Sequence, residues 1–362
     1  MAITQDQVRD ALRTVIDPNT GRDLVSTKSV TSITVDGANV MVEARLGYPS
    51  RTQREPIRAA IQTCLAALPG VAKIEVAVTS KIDAHSVQRG VKLIPGIKNI
   101  IAVASGKGGV GKSTTATNLA LALADEGATV GILDADIYGP SQPTMLGITG
   151  KPESKDGKKM EPMMGHGIQA ISIGFMIDAD TPMVWRGPMV TQALEQLLNQ
   201  TNWRDIDYLI VDLPPGTGDI QLTLAQKVPV TGAVIVTTPQ DIALSDARKG
   251  LKMFEKVGIP ILGIVENMSM HVCSNCGHQE AIFGAGGAAK MCKDYGTELL
   301  GQMPLDIHIR ERADSGNPTV VADPQSAAAD IYRKIGRRVA VKLAEQAKDM
   351  TSKFPNIVVQ NT

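Results

Sequence analysis

The sequence predicts an α/β protein, with a mostly parallel sheet flanked by helices and a small α+β domain in front of it. From about residue 99, short apolar strands alternate with longer amphipathic helices, which is the pattern of βα units. Aromatic residues make up only 3% of the 362 residues, although 43% are hydrophobic. The core must therefore consist mainly of Ile, Val, Leu and Ala, as is typical of parallel sheets.

The first 82 residues predict the small domain, with elements in the order α-β-β-α-β. Thr4 and Gln7 form a capping-box pattern at the start of the first helix. An Asp-Gly dipeptide favours a tight turn between the first two strands. The later elements of this domain are predicted at 30–35, 39–46, 52–68 and 72–78.

Residues 83–97 are weakly periodic and contain Gly and Pro, so they predict a linker. Residues 98–350 predict the larger domain, and 351–362 a C-terminal tail. The strands of the larger domain are predicted at 100–104, 129–133, 208–211, 233–237 and 261–265. Its helices are predicted at 112–126, 189–198, 244–257 and 324–348.

Composition excludes several classes of protein. The 37 Lys and Arg residues balance 37 Asp and Glu residues, so the chain lacks the overall positive charge of a nonspecific binder of nucleic acid or of anionic membranes. No apolar run approaches the ~20 residues that span a bilayer, and the N-terminus has no signal-peptide pattern. Four cysteines are too few for a disulfide scaffold. We therefore expect a soluble, cytoplasmic protein without a nucleic-acid or membrane partner.

A phosphate-binding loop is the strongest motif in the chain. Residues 106–113 fit the pattern G-x-x-x-x-G-K-[ST] between a predicted strand and a predicted helix, which is the context that this motif requires. Its glycines let backbone N–H groups converge on phosphate oxygens, Lys112 offers a charge to the β- and γ-phosphates, and the Ser113 hydroxyl can ligate Mg²⁺. The predicted nucleotide-binding loop consists of Gly106, Lys107, Gly108, Gly109, Val110, Gly111, Lys112, Ser113 and Thr114.

Two other predicted strands end in carboxylates. Asp212 ends an apolar strand, where proteins with this loop hold the acid that orients the hydration shell of Mg²⁺. Asp134 and Asp136 end another strand. Because the carboxyl ends of parallel strands meet at one edge of the sheet, we expect all three side chains near the phosphate loop.

Lys107 is a second lysine inside the loop, beside Lys112. The stretch from Gly106 to Thr114 resembles the deviant Walker A motif of the ATPases that include partition and division-site-selection proteins, the arsenite-pump ATPase and the nitrogenase iron protein. This resemblance implies a P-loop NTPase fold, ATP as the nucleotide and a homodimer. It also implies that Lys107 crosses the dimer interface to the nucleotide of the partner subunit.

A C-x-x-C pair lies at Cys273 and Cys276, in a segment that we predict to be a loop after 266–268. Two thiolates at this spacing can share one metal but leave a tetrahedral site two ligands short. The candidates for completing it are His271, His278, Cys292 and the same cysteine pair of another chain. Spacing alone favours zinc and an iron–sulfur cluster about equally. A thioredoxin-like redox pair is less favoured, because that motif opens a helix.

From about residue 95 to the C-terminus, several segments in order resemble the Mrp/ApbC family of iron–sulfur cluster carrier ATPases. The segments are 97–106, 134–141, 212–219 and 266–269. The resemblance implies that Cys273 and Cys276 of two protomers bind a [4Fe–4S] cluster and pass it to apoproteins, with cluster scaffold proteins as further partners. It also implies that Asp136 lies near the water that attacks ATP and that Asn267 faces the adenine.

The N-terminal segment resembles the small iron–sulfur assembly domain that is often fused in front of this family. That domain commonly has a cysteine just after its second strand. This chain has no cysteine there; the residues are Tyr48, Pro49, Ser50, Arg51 and Thr52. We therefore do not expect this domain to handle a cluster by itself.

The leading hypothesis is an ATPase that carries an iron–sulfur cluster, with Lys107, Lys112, Asp136 and Asp212 as the catalytic residues. The main alternative is a partition-type positioning ATPase whose C-x-x-C binds structural zinc. That protein would bind DNA or membrane in an ATP-dependent way and would not need its cysteines. A third hypothesis is a reductase like the nitrogenase iron protein, but the cluster cysteines of that relative are widely separated.

Overall fold

The computed structural model describes residues 3–85, 94–177, 187–273 and 275–352. Parts of the predicted linker and of the predicted C-terminal tail lie outside the described residues, as does Ser274 between the paired cysteines. The chain divides into two units, one within Met1–Asp83 and Ala340–Thr362 and the other within Ala84–Val339.

The first unit is built on a three-stranded sheet. It contains, in chain order, α1 (Gln5–Leu12), β1 (Ile16–Asp17), β2 (Arg22–Asp23), β3 (Val30–Asp36), β4 (Asn39–Leu46), α2 (Arg54–Ala66) and β5 (Lys73–Ser80). The predicted capping box is present, because the Gln7 backbone N–H donates to the Thr4 hydroxyl and the Gln7 side chain accepts from the Thr4 N–H. Strand β4 pairs antiparallel with β3 and parallel with β5, and alternate side chains along it are buried. The short β1–β2 pair was not predicted.

The second unit contains the longer run of βα elements. Its first half consists of β6 (Ile97–Ala104), α3 (Lys112–Asp125), β7 (Val130–Asp134), α4 (Gln142–Met145), β8 (Met163–Gly165), β9 (Ile168–Ser172), a 3-10 turn (Ile173–Phe175), α5 (Gly187–Asn199) and β10 (Ile206–Asp212). Its second half consists of α6 (Asp219–Lys227), β11 (Gly232–Thr237), α7 (Asp241–Lys256), β12 (Ile261–Val272), β13 (Gln279–Glu280), α8 (Gly287–Tyr295), β14 (Leu299–Leu305), α9 (Ile307–Asp314) and α10 (Thr319–Ala322). The last described element is α11 (Ala327–Ser352).

A mostly parallel sheet forms the centre of this unit, as predicted. Within the described residues its strand order is β13-β12-β11-β6-β10-β7-β9-β8, and β14 also pairs with β12. Of the described strands of this sheet, only β8 and β13 run antiparallel to their neighbours. Every residue of β7, β10 and β11 is buried, which fits a sheet covered by helices on both faces. The predicted fold class is confirmed.

Strand register sets the position of the site. The central strand β6 leads into the phosphate loop, and β10 lies beside it on one side of the sheet. Asp212 at the end of β10 pairs with Asp134 at the end of β7 and with Val103 of β6. Both carboxylates therefore lie next to the phosphate loop at one edge of the sheet.

Cys273 and Cys276 lie in a loop, as predicted, but this loop begins after Val272 rather than directly after 266–268. Strand β12 continues through Val272, so the cysteine pair directly follows a strand. Pairing with β14 as far as Leu305 and with β13 at Glu280 extends β12 beyond the predicted end at residue 265. Neither partner strand was predicted, because β14 contains Gly and Pro and β13 has only two residues.

The last helix begins later than predicted. It starts at Ala327 rather than at residue 324, because the Ser326 hydroxyl accepts a hydrogen bond from the Ala329 N–H (3.2 Å) and caps the first turn. Tyr332, Ile335 and Val339 form part of its buried face. Across the described residues, every helix is either too short or too polar to span a lipid bilayer.

Candidate functional site

The phosphate loop runs from the end of β6 to the start of α3. Gly109 and Gly111 have φ angles of 79° and 81°, in the left-handed region that favours glycine. Gly106 lies against α7, and a Cβ at this position would be 2.1 Å from the carbonyl carbon of Asp246. The backbone of the loop therefore needs glycine both for its curvature and for its close approach to α7.

Lys112 brings several predicted site residues together. Its side chain is only 6% exposed, and its Nζ donates a short hydrogen bond to the Asp212 carboxylate. The same Nζ lies 3.1 Å from the Ser113 hydroxyl and 3.9 Å from Asp136 Oδ2. Lys112, Ser113, Asp136 and Asp212 thus form one cluster at the start of α3.

Gln142 also belongs to this cluster, although the sequence did not predict it. It is fully buried on α4, and its Nε2 donates to Asp212 Oδ2 (3.0 Å). Its Oε1 accepts from the Thr117 hydroxyl (2.7 Å) of α3. The hydrogen bond from Gln142 Nε2 fixes the position of Asp212 Oδ2. The signal in the sequence was weak, because one Gln after a strand-end motif is usually a surface residue.

Asp134 is buried beneath the cluster. Its Oδ2 accepts hydrogen bonds from the backbone N–H groups of Ser141 (3.0 Å) and Gln142 (3.1 Å) and from the Ser172 hydroxyl (3.0 Å). Burial, and then the neighbouring Asp212, raise the pKa of Asp134 to about 7. The carboxyl group therefore orders the loop after β7 and gains a proton far more readily than an exposed Asp.

Asp136 is placed closer to solvent, with a side chain 13% exposed. Its backbone N–H donates to Asp134 Oδ1 (3.2 Å), which holds the loop after β7 in place. Burial raises the pKa of Asp136, while the Lys112 ammonium opposes that shift. Its carboxylate oxygen reaches the same lysine as Asp212, in agreement with the predicted proximity of the two acids.

The rest of the loop is more open. Lys107 is exposed, and its backbone carbonyl accepts from the Ser105 hydroxyl (2.9 Å). Gly108 is also exposed, Val110 is buried and Thr114 is half-buried. The Lys107 side chain is therefore not part of the buried cluster around Lys112.

Asn267 contacts the phosphate loop directly. It lies on β12, is 9% exposed and donates from Nδ2 to the Val110 carbonyl (2.9 Å). The sequence indicated a site role only through family resemblance, and the contact with the loop backbone was not anticipated. A role for Asn267 at the adenine stays a prediction.

The paired cysteines lie in a hairpin between β12 and β13. The strands pair at Val272 with Gln279, and the Cys273 N–H donates to the His278 carbonyl (2.9 Å). The Gly277 N–H donates back to the Cys273 carbonyl (2.8 Å), with a Gly277 φ of 72°. Cys273 is half-buried and Cys276 exposed. The glycine after the second cysteine thus closes a tight turn that places both thiols on one hairpin.

The hairpin changes the acidity of one of the two thiols. Hydrogen bonds from the backbone N–H of Cys276, and then of Asn275, hold the pKa of the Cys273 thiol below its ordinary value. A thiol with a lowered pKa supplies the thiolate that metals bind.

The other candidate ligands differ in their surroundings. Cys292 lies on α8 and is buried in the core, as expected for a packing residue. His271 Nδ1 lies 3.3 Å from the Leu305 carbonyl, and His278 is exposed. Within the described ranges, no group of three or more His, Cys, Asp or Glu is placed to hold a metal ion.

Comparison with protein families gives two matches. Residues 96–340 match the family described as NUBPL iron-transfer P-loop NTPase. Residues 5–78 match the iron–sulfur cluster assembly protein family. The first match covers the phosphate loop, the carboxylates, Asn267 and the cysteine hairpin.

Individual proteins are similar over most of the chain. An iron-sulfur cluster carrier protein of Salmonella typhimurium is 65% identical over 256 residues, which cover 70% of this chain and 69% of that protein. One of Haemophilus influenzae is 48% identical over 351 residues, covering 97% of this chain and 95% of that protein. Among solved structures, a nucleotide-binding protein of Archaeoglobus fulgidus in complex with ADP is 37% identical, with a TM-score of 0.57, and covers 65% of this chain and 92% of that one.

Proposed function

Because the chain belongs to the NUBPL iron-transfer P-loop NTPase family, we propose that it is an ATP-hydrolysing carrier that binds an iron–sulfur cluster and transfers it to apoproteins. One observation carries the proposal. The strand that presents the cysteine hairpin, β12, also contacts the phosphate loop through Asn267. One element thus joins a nucleotide-binding loop to a pair of metal-binding thiols.

The phosphate loop and its neighbours are suited to ATP with Mg²⁺. Oxygen ligands of the kind that Mg²⁺ prefers, the Ser113 hydroxyl and the Asp212 carboxylate, both lie at Lys112. When bound, Mg²⁺ would neutralise charge on the β- and γ-phosphates. Lys112 exchanges its contact with Asp212 for a phosphate oxygen, and Gln142 keeps Asp212 oriented meanwhile.

Hydrolysis requires a positioned water and positive charge around the γ-phosphate. We assign the water to Asp136, because its carboxylate is partly exposed and lies 3.9 Å from Lys112. The raised pKa of Asp136 makes it a better proton acceptor than an ordinary Asp. We assign the second cation to the exposed Lys107, supplied by the partner subunit.

The cluster is the cargo. A [4Fe–4S] cluster is held by four cysteine thiolates. Cys273 and Cys276 supply two, and hydrogen bonds from backbone N–H groups lower the pKa of the Cys273 thiol. The same pair of a second copy supplies the other two, so the proposed carrier is a homodimer that binds one cluster between its subunits.

The surface around the phosphate loop supports this dimer. Three large apolar side chains are exposed just after the carboxyl ends of β7, β11 and β14. They are Tyr138 (59% exposed), Ile242 (68%) and Ile307 (59%). Exposed apolar groups at the same edge as Lys107 favour a protein contact there. A second copy placed on this edge would bring its own Lys107 toward the nucleotide.

The partition-type alternative is not favoured. The matched family is described by iron transfer, and the two similar proteins reported above are named cluster carriers. Under the proposal, the partners are cluster scaffold proteins and apo iron–sulfur proteins, and the cytoplasm is the place of action because it keeps thiols reduced. The N-terminal unit, which matches an iron–sulfur assembly family, would assist in contacting those partners.

The test is anaerobic reconstitution with iron and sulfide, followed by absorbance spectra, ATPase assays and transfer to an apoprotein. Cys273→Ser and Cys276→Ser are expected to abolish the cluster absorbance, while Cys292→Ser, altered in the core, serves as the matched cysteine control. Lys112→Ala is expected to lose ATP hydrolysis. The proposal is wrong if the wild-type chain stays colourless or if transfer is unaffected by the Lys112 and Cys273 changes.

A further inference from the structure

Strand β12 is interrupted just before the cysteine hairpin. Its pairing with β14 joins Glu266 to Gln302 and resumes at Met270 with Pro304. Three residues of β12, 267–269, therefore stand against one residue of β14, and we call these three residues the bulge. Met268 has a φ of 55°, a left-handed conformation that is unfavourable for a residue with a side chain.

The bulge places Asn267 on the phosphate loop. Asn267 Nδ2 donates to the Val110 carbonyl (2.9 Å). A Cβ built on Gly111 would lie 2.1 Å from the same Nδ2, so the amide fills the space beside this glycine. Gly111 directly precedes Lys112, and the amide therefore touches the part of the loop that binds phosphate.

Upstream of the bulge, β12 is firmly held. The buried Glu266 carboxylate accepts hydrogen bonds from the Ala288 N–H (3.0 Å) and from Gln302 Nε2 (2.7 Å). Glu266 is therefore tied both to the first turn of α8 and to β14. A displacement of Asn267 cannot readily pass in this direction.

Downstream, fewer bonds hold the strand. Pairing with β11 ends at Glu266, whereas beyond the bulge Met270 and His271 pair with β14, and His271 and Val272 pair with β13, directly before Cys273. The distance from Met268 to Cys273 along an extended strand is about 17 Å. A movement of the bulge is therefore transmitted toward the cysteines rather than toward Glu266.

We infer that the bulge 267–269 couples the phosphate loop to the cysteine hairpin, so that bound nucleotide sets the exposure of Cys273 and Cys276. Asn267 senses the loop, and Met268 holds the backbone shape that passes the signal along β12. The inference rests on the proposed function, because it takes the loop as the ATP site and the thiols as the cargo site. In this scheme Asn267 and Met268 are positioning residues.

The test measures thiol reactivity in the reduced, metal-free, full-length chain. Iodoacetamide labelling of Cys273 and Cys276 is followed by mass spectrometry without nucleotide, with Mg-ADP and with Mg-ATP, all at saturation. For the wild type, we expect nucleotide to change the labelling rate by at least about fivefold, the lower end of common allosteric couplings. We define the labelling ratio as the labelling rate with nucleotide divided by the rate without it. In Met268→Gly, this ratio is expected to fall toward one, because glycine lets the bulge flex. Asp205→Gly is the matched control, since Asp205 also has a positive φ (47°).

Asn267→Ala is a second, independent variant, to be used if thermal unfolding shows that Met268→Gly is not folded. It removes the contact with Val110 and is expected to lower the ratio in the same way. The inference is overturned if the wild-type ratio is one, if a folded bulge variant keeps the wild-type ratio, or if Asp205→Gly loses it as well. Failure of the wild type to bind ATP or a cluster would instead remove the proposed function, and the coupling with it. If the wild type binds ATP and a cluster but nucleotide does not change the labelling of its thiols, only the coupling is overturned.

Discussion

Asp134→Asn should change how the stability of the second unit depends on pH. Asp134 is fully buried next to Asp212, and its pKa is raised from 3.8 to about 7. A carboxyl group with a raised pKa favours the folded state fully below its unfolded pKa. That contribution is lost as the pH rises through the folded pKa. The wild type should therefore lose stability between these two values, and the variant should lose much less.

The magnitude follows from the linkage between protonation and folding. Each pH unit between the two pKa values changes the free energy of unfolding by about 1.4 kcal/mol. Between roughly pH 5 and roughly pH 8, the wild type should lose about 2–3 kcal/mol relative to the variant. The amide also gives up the hydrogen bond from the Asp136 N–H (3.2 Å), at a pH-independent cost of about 1 kcal/mol. The variant is thus expected to be the less stable protein in acid and the more stable one at higher pH.

The assay is denaturant unfolding of the reduced, nucleotide-free chain, followed by tryptophan fluorescence. Trp203 is buried in the core of the second unit, so its fluorescence reports that unit. The other tryptophan, Trp185, lies outside the described residues. Asp207→Asn, at a carboxylate that is also largely buried, controls for a general effect of removing charge. Parallel pH profiles for the wild type and Asp134→Asn would contradict this prediction, because they would mean that burial does not raise the pKa of Asp134.

Three further predictions concern Lys107, the buried ion pair of Arg337 and Glu126, and two glycines of the phosphate loop. Lys107→Ala should lower ATP hydrolysis on the order of 10³-fold, as for other cations supplied in trans, and unchanged phosphate release would contradict that role. Arg337→Met should destabilise the chain by about 3 kcal/mol, because it leaves the 1% exposed Glu126 without its buried cation; an unchanged denaturation midpoint would argue against this. Gly109→Ala adds only the strain of a left-handed backbone, about 1–2 kcal/mol, whereas in Gly111→Ala the new Cβ also clashes with the side-chain amide of Asn267. Calorimetry should therefore show weaker ATP binding for the second variant, and equal affinities would contradict the close contact.

The phosphate loop could be predicted because its geometry is local. Glycine spacing, the preceding apolar strand and the following helix are all contained in about twenty-five consecutive residues, and the structure places them as expected. Strand-end acids were also predictable, because parallel strands with continuous apolar runs bring Asp134 and Asp212 to one edge.

Long-range contacts could not be predicted in this way. Gln142 reaches Asp212 from seventy positions away in sequence, and no local pattern marks it. The left-handed Met268 is equally invisible, because Met has no preference for that conformation. The bulge arises from pairing with β14, whose Pro304 has no N–H to donate to a regular ladder. A local sequence pattern indicates the conformational preference of one helix or strand. It does not indicate which strand will pair with that element and distort it.

Strand β12 has twelve residues, whereas its neighbour β11 has six. The extra length carries the cysteine turn past the end of the adjoining strand, and residues 275–280 are exposed. Cargo bound there would meet solvent, so an incoming protein could take it by ligand exchange at the surface without opening the interior. Under the proposed function, the same exposure would leave the Cys276 thiol open to oxygen and to small chelators. Rapid delivery and protection of the cargo are thus opposing demands on this turn.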